Sequence, residues 1–203
     1  MRILLNLPVR LPSLIVVMAG SIGFLLGACQ RSPEGLQDLP TVESFNLRNA
    51  QGEAFTEADL DGEVWVVNFF FTRCPTICPP LMDAVAGVHG RWKEEPRVRF
   101  LSITVDGDYD TPEVLADYRS KRELPSENWT YATAPRDTVR ALSEQSFLQA
   151  VSTEMDESGD ILHSSRVLVL DPQRGLRGWF DVFEEEDHPK LDAVIEYLLN
   201  EER

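Results

Sequence analysis

The run Val64-Trp-Val-Val-Asn-Phe-Phe-Phe71 constrains this chain's fold more than any other stretch. It is rich in β-branched and aromatic residues and shows no wet side at a period of two. That suits a strand buried on both faces. Cys74 comes directly after it, and Cys78 follows at the spacing Cys74-x-x-x-Cys78, with prolines beside both. Two thiols at the end of a buried strand leave three options: a redox pair, part of a metal site, or a structural staple.

The flanking sequence supplies the layers such a strand needs. Ser44–Leu47 and Ala54–Phe55 flank Asn49-Ala50-Gln51-Gly52 and read as a small hairpin. Pro75 to about Trp92 has helical composition, with Leu81, Val85 and Val88 at helical spacing. Arg97–Val105 is the next strand. Thr111-Pro112-Glu113 opens a helix to about Arg122, with Thr as cap and Pro in the first position. Trp129–Ala132 reads as a strand and Asp137–Ser146 as a helix. Arg166–Leu170 and Leu176–Phe180 are strands joined by the turn Asp171-Pro-Gln-Arg-Gly175, and Pro189–Asn200 is a last amphipathic helix. Alternating βα units closed by a terminal ββα predict an α/β, thioredoxin-like fold. It has a central mixed sheet flanked by helices and an N-terminal β-hairpin. A single domain over 44–203 accommodates all of it.

The N-terminus reads differently. Arg2 and Arg10 precede a short apolar stretch, Leu14 to Leu26, which ends in Leu26-Gly27-Ala28-Cys29. This is the pattern of a bacterial secretory signal, and its ending resembles the lipobox of bacterial lipoproteins. The resemblance implies a signal peptide over 1–28, acylation of Cys29, and a linker over 29–43. The rest of the protein is then expected in the cell envelope, lipid-anchored to a membrane and facing the periplasm or the cell exterior. The formal net charge of −15 becomes two units more negative once Arg2 and Arg10 are removed. Such a surface is unsuited to nucleic acid or an anionic membrane face.

With Cys29 set aside, Cys74 and Cys78 are the remaining cysteines. At i and i+4 of a helix their Cα atoms would stand about 6 Å apart, within disulfide range. The loop closed would be tiny, and chain-entropy stabilisation grows with loop length, so a staple has little to offer. Cys74 at a helix start would have its thiolate favoured by backbone N–H groups and the helix dipole. Pro79-Pro80 would distort the turn around Cys78. Two soft thiolates select copper, zinc or an iron–sulfur centre, and a third ligand is needed. His89 lies 11 residues beyond Cys78, about 16 Å along one helix, and reads as an exposed helix residue. His188 reads as a surface residue at the start of the last helix. His163, in a loop just before a buried strand, is the histidine left to consider, although a lone loop histidine is more often structural than a ligand. Asp106-x-Asp108-x-Asp110 resembles the start of a calcium loop, but Thr111-Pro112 follows where glycine is required. It reads as a strand end and helix cap, with Asp106 near the cysteines.

Three motifs together resemble the SCO/SenC family of copper-binding, thioredoxin-like proteins. They are Phe70-Phe-Thr-Arg-Cys74-Pro-Thr-Ile-Cys78-Pro79, Val105-Asp-Gly-Asp-Tyr-Asp-Thr-Pro-Glu-Val-Leu115, and His163-Ser164 ahead of Val167-Leu-Val-Leu-Asp-Pro172. The resemblance spans about Phe45 to Leu199. It implies that Cys74, Cys78 and His163 bind copper, as Cu(I) or Cu(II), and that the partner is cytochrome c oxidase subunit II or another copper or thiol protein. A Cys2His set is complete for trigonal Cu(I), whereas zinc wants a fourth ligand. The protein would act as a metallochaperone that delivers copper to that subunit or keeps its cysteines reduced. The alternative is a thiol–disulfide oxidoreductase of the cell envelope in which Cys74 attacks and Cys78 resolves. The family often has proline after the first Asp of the second motif, where this chain has Gly107.

Overall fold

A computed structural model describes residues 32–152 and 161–201. Its elements follow the expected order. A hairpin of β1 (Asn46–Asn49) and β2 (Ala54–Thr56) leads through a 3-10 turn, Glu57–Leu60, into β3 (Val64–Phe70). Then come α1 (Cys78–Trp92), β4 (Val98–Thr104), α2 (Pro112–Lys121), β5 (Trp129–Thr133) and α3 (Arg136–Gln145). β6 (Arg166–Leu170), β7 (Leu176–Asp181) and α4 (Asp187–Glu201) complete the chain. The sheet has seven strands in the order β2-β1-β5-β4-β3-β6-β7. β3, β4 and β5 run parallel, while β1, β6 and β7 join antiparallel to their neighbours.

The unbroken apolar run becomes a central strand, β3, buried along all seven residues. Its one polar residue is satisfied internally. Ser102 donates to Asn68 Oδ1 at 2.6 Å, Trp129 Nε1 donates to Ser102 at 2.9 Å, and Asn68 Nδ2 reaches Met82 Sδ at 3.4 Å. Such a chain removes the penalty an unpaired buried amide would carry. Because parallel β3 and β4 both end at the same edge of the sheet, the loops after them meet there. The loop leading into antiparallel β6 arrives at that edge as well.

Four expectations are corrected. Residues 29–43 read as linker, yet their described part packs as a strap on β7. Gln37 N–H donates to Arg177 O at 2.7 Å and Val42 N–H to Arg174 O at 3.0 Å, with Thr41 bridged to Gly175. The prolines and polar residues hid the strap, because one edge of an isolated segment gives no period. The first helix begins at Cys78 rather than Pro75, so Cys74 lies in the loop before it. Pro79 and Pro80 do not distort that helix but occupy its first turn, where a missing N–H costs nothing. His89 is buried, not exposed. Its ring stacks on Trp129 and meets Phe100 edge-on, and its Nε2 pairs with the Glu127 carbonyl at 2.9 Å. Periodicity marks a helix face by its apolar residues and cannot show that a histidine at the far end of α1 turns inward.

Candidate metal centre

Cys74 and Cys78 are both in the thiol form and both buried, Cys78 completely and Cys74 to all but 6 %. Cys74 is thus the more accessible of the two residues. Its Sγ accepts the backbone N–H of Cys78 at 3.2 Å. The helix that starts at Cys78 therefore caps its first amide with the Cys74 sulfur. Cys74 itself stands outside the helix, in the loop that precedes it.

His163 comes to the same place from 85 residues away in sequence. Its Nε2 lies 3.3 Å from Cys78 Sγ. Its Nδ1 is 2.9 Å from the Ser164 carbonyl, which can only accept, so Nδ1 carries a proton and, in the neutral ring, Nε2 presents its lone pair toward the sulfur. The ring stands edge-on to Phe71, with centroids 5.9 Å apart. The arm holding it is clasped at its base, where Ser152 N–H donates to Leu162 O at 2.8 Å and Leu162 N–H to Ser152 Oγ at 2.9 Å. Among the described residues no group of three or more His, Cys, Asp or Glu side chains is drawn up to hold an ion as it stands. Cys78 and His163 form a pair, with Cys74 beside them.

The aspartates of the second motif do not form a cation loop. They clamp the cysteine loop. Asp110, fully buried, accepts from Thr72 N–H at 3.0 Å and from the hydroxyls of Thr72 and Thr104. Burial raises its carboxyl above the ordinary range, and those hydrogen bonds oppose the rise. Asp106, equally buried, accepts from Arg73 Nε at 3.0 Å and from Arg136. Arg73 also lies over the Tyr109 ring at 4.0 Å. Residues 72 and 73, immediately before Cys74, are thereby fixed to the loop after β4. Thr111 caps α2 as expected, accepting from Val114 N–H at 3.4 Å. Gly107 has a steric reason. A Cβ there would lie 1.7 Å from the Ala134 carbonyl oxygen, so this loop passes too close to β5's exit for any larger residue.

The remaining candidates lie elsewhere. His188 sits half-buried in the first turn of α4, with Nε2 2.8 Å from the Val182 carbonyl. His89 lies in the last turn of α1, at the end away from the cysteines. Cys29 falls outside the described residues. The clamp role of Asp106 and Asp110 was not legible in sequence beyond the placing of Asp106 near the cysteines. The short spacing of three acids ahead of a Thr-Pro helix start was the available signal.

A buried dithiol at the exit of a central strand, joined by a histidine from across the sheet, defines a thioredoxin-like protein adapted to hold a soft metal or exchange disulfides. The model of the SCO1/SenC family matches residues 33–199, and the chain belongs to that family. A SCO1 protein homolog of Bacillus subtilis is 29% identical over 133 residues, covering 64% of this chain and 68% of that protein. A putative copper-binding protein of Stutzerimonas stutzeri is 27% identical, covering 80% and 78%. Among solved structures, a SCO1/SenC family lipoprotein from Bacillus anthracis superposes with a TM-score of 0.70 at 29% identity, over 84% of this chain and 99% of that one. BsSco, a member of the Sco family of cytochrome c oxidase assembly proteins with a disulfide switch, also gives 0.70, at 26% identity, over 81% and 97%.

Proposed function

We propose that this chain is a copper chaperone of cytochrome c oxidase assembly, with Cys74, Cys78 and His163 as the copper ligands. The observation that carries the reading is His163 Nε2 at 3.3 Å from Cys78 Sγ, with its tautomer set by the Ser164 carbonyl. A dithiol exchanger has no need of an imidazole lone pair aimed at one of its sulfurs. A metal site does, and its histidines ordinarily have the other nitrogen tied to an acceptor. Two sulfurs and one nitrogen suit trigonal Cu(I). The relatives support the cargo and the pathway, since one is a putative copper-binding protein and another a member of a cytochrome c oxidase assembly family. Copper is the cargo. It passes to the recipient by ligand exchange, with no change of oxidation state required, as incoming thiolates replace Cys74, Cys78 and His163 in turn. The recipient is the copper centre of cytochrome c oxidase subunit II.

A second reading keeps the same sulfurs for reduction of that subunit's cysteines. Cys74, the more accessible of the two residues, attacks a disulfide, and Cys78 resolves the mixed disulfide. The Cys74 and Cys78 thiols are oxidised to a disulfide as the recipient's disulfide is reduced to two thiols, and two protons pass with the two electrons. The cap bond between Cys78 N–H and Cys74 Sγ and the disulfide switch of BsSco favour it. Acylation at Cys29, placing the domain at a membrane of the cell envelope, is supported by the lipoprotein character of the Bacillus anthracis relative. Among the described residues no helix is long and apolar enough to cross a membrane.

His163→Ala separates the readings. Loss of an outer partner alone commonly costs about 10–100-fold in metal affinity, so loss of the ligand itself should weaken Cu(I) binding at least as much. The dithiol's reduction potential should move little. Cu(I) binding as tight as wild type in a competition titration would refute the assigned ligand set. Normal oxidase assembly at limiting copper by a variant that no longer binds copper would shift the function to the thiol exchange.

A further inference from the structure

The edge of the sheet that carries the thiols also carries exposed large apolar side chains. Among the described residues four large apolar side chains are exposed: Tyr109, Leu148, Leu162 and Phe183. Three of them lie at this edge. Tyr109 follows β4, Leu162 precedes β6 and Phe183 follows β7, and β3, which delivers Cys74, lies between β4 and β6. These four neighbouring strands span about 14 Å at the usual strand spacing. The apolar side chains therefore bracket the thiols within the width of a protein contact. Leu162, 75 % exposed, is the residue next to His163. Single exposed apolar residues are ordinary, but their concentration around one site marks an interaction surface.

Two further observations say what meets it. Glu184, Glu185 and Glu186 follow Phe183 directly, are all exposed, and form no ion pair among the described residues. Of the cations at this edge, Arg73 and Arg136 are engaged by Asp106 and Lys190 by Asp187 and Glu34, while exposed Arg166 stands opposite Asp181 across β6 and β7, one cation against three glutamates. The face is therefore apolar with an unbalanced acidic flank, which repels anionic headgroups and attracts a basic rim. The strap runs antiparallel to β7, with Thr41 at Gly175 and Gly35 against Phe180, so the chain joins the domain at the thiol-bearing edge. Cys29 and Gly35 are separated by residues 30–34, at most about 20 Å of extended chain.

We propose that this edge is a docking face for one kind of partner: a protein held in the same membrane as Cys29, presenting an apolar patch rimmed by Lys and Arg around its own copper site. The proposal rests on the copper-delivery reading above and adds to it the face, its chemistry and its direction. The acidic flank speeds encounter, and Leu162 and Phe183 hold the complex once formed.

The test uses the full acylated chain in nanodiscs and the copper-binding domain of subunit II of the same organism's cytochrome c oxidase, with association and dissociation followed at several salt concentrations. Leu162→Ser with Phe183→Ser should weaken the complex at least tenfold, mainly through faster dissociation. Glu184→Gln, Glu185→Gln and Glu186→Gln together should slow association about tenfold at low salt, and the difference should vanish in roughly 0.5 M salt. Glu94→Gln, beyond the far end of α1, should change nothing. Cu(I) stoichiometry, measured on each variant, reports that the site is intact. If the serine variant folds poorly, the salt dependence of the glutamine variant decides alone. Wild-type binding matched by both variants overturns the docking face and leaves the copper-delivery reading standing. No association of the wild type, with or without copper, overturns both.

Discussion

Asp106→Asn should loosen the cysteine loop without touching a ligand. The Asp106 side chain has no exposed surface, while those of its partners Arg73 and Arg136 are 40 % and 24 % exposed. The amide keeps the shape of the carboxylate but turns an NH2 group toward one guanidinium and removes the charge that balances both. Hydrogen bonds to charged groups contribute about 1.5–3 kcal/mol each. Here the partners reach water, so part of that is screened and recoverable by rehydration. The net cost should be about 2–3 kcal/mol, larger than a surface ion pair and smaller than the loss of a partner from a fully buried one. Urea unfolding of the metal-free domain measures it as a shift in midpoint at constant slope. Cu(I) competition on the same variant should show a loss smaller than that of His163→Ala, because Arg73 positions Cys74 only through the chain. A stability change under about 1 kcal/mol with unchanged copper affinity would refute the clamp.

Asp110→Asn should alter the pH dependence of stability in a defined direction. Burial holds the native carboxyl above its ordinary value of 3.8, so between those values the folded state keeps a proton that the unfolded state has lost. Stability from this group is present at low pH and is lost as pH rises through the folded value. The free-energy difference between variant and wild type should therefore move in the variant's favour from about pH 3.5 to 7 in urea titrations, and a flat or opposite trend would sink the assignment. Oxidation of Cys74 and Cys78 to a disulfide should abolish Cu(I) binding, since the proposed ligands are thiolates; a copper titration with undiminished stoichiometry after mild oxidant would contradict the shared site. Cys29→Ser should release the protein from the membrane fraction and block processing before residue 29, read by fractionation and intact mass.

The parts legible in sequence were those that depend on local pattern. β3 declared itself through an unbroken apolar run, α2 through Thr111-Pro112, and the β6–β7 hairpin through Asp171-Pro-Gln-Arg-Gly175. What failed to show depended on partners distant in sequence. The strap's hydrogen bonds go to β7, well over a hundred residues on, and the inward turn of His89 depends on Phe100 and Trp129. Pro79 and Pro80 were legible as helix-unfriendly residues, but whether they kink a helix or begin one depends on where the preceding loop is fixed. Asp106 and Asp110 fix it. The geometry that pairs His163 with Cys78 could be stated only as what a family resemblance implies, because nothing local to a loop histidine says which sulfur it meets.

The way the two halves of the proposed ligand set are held bears on how copper could leave. Cys74 and Cys78 sit on one short loop and helix start, fixed through Thr72 and Arg73 to buried Asp110 and Asp106. His163 is held by other contacts altogether, namely Ser164's carbonyl, the face of Phe71, and the clasp between Ser152 and Leu162. The hydrogen bonds named for the clamp and those named for the arm have no residue in common, and Phe71, whose carbonyl accepts from Cys74 N–H, is where the two halves adjoin. Movement of His163 away from Cys78 therefore breaks one nitrogen–sulfur contact and leaves the dithiol geometry in place. Ligand exchange needs this order, since an open position must appear while two soft ligands still hold the ion. The exposed Leu162 beside His163 is where an arriving partner could draw the arm aside. On this reasoning the clamp variant and the histidine variant should be additive in their effects on copper affinity, as expected of sites that share no partner. A strong coupling between Asp106→Asn and His163→Ala in a double-mutant cycle would show that the two halves move together and that transfer must begin elsewhere.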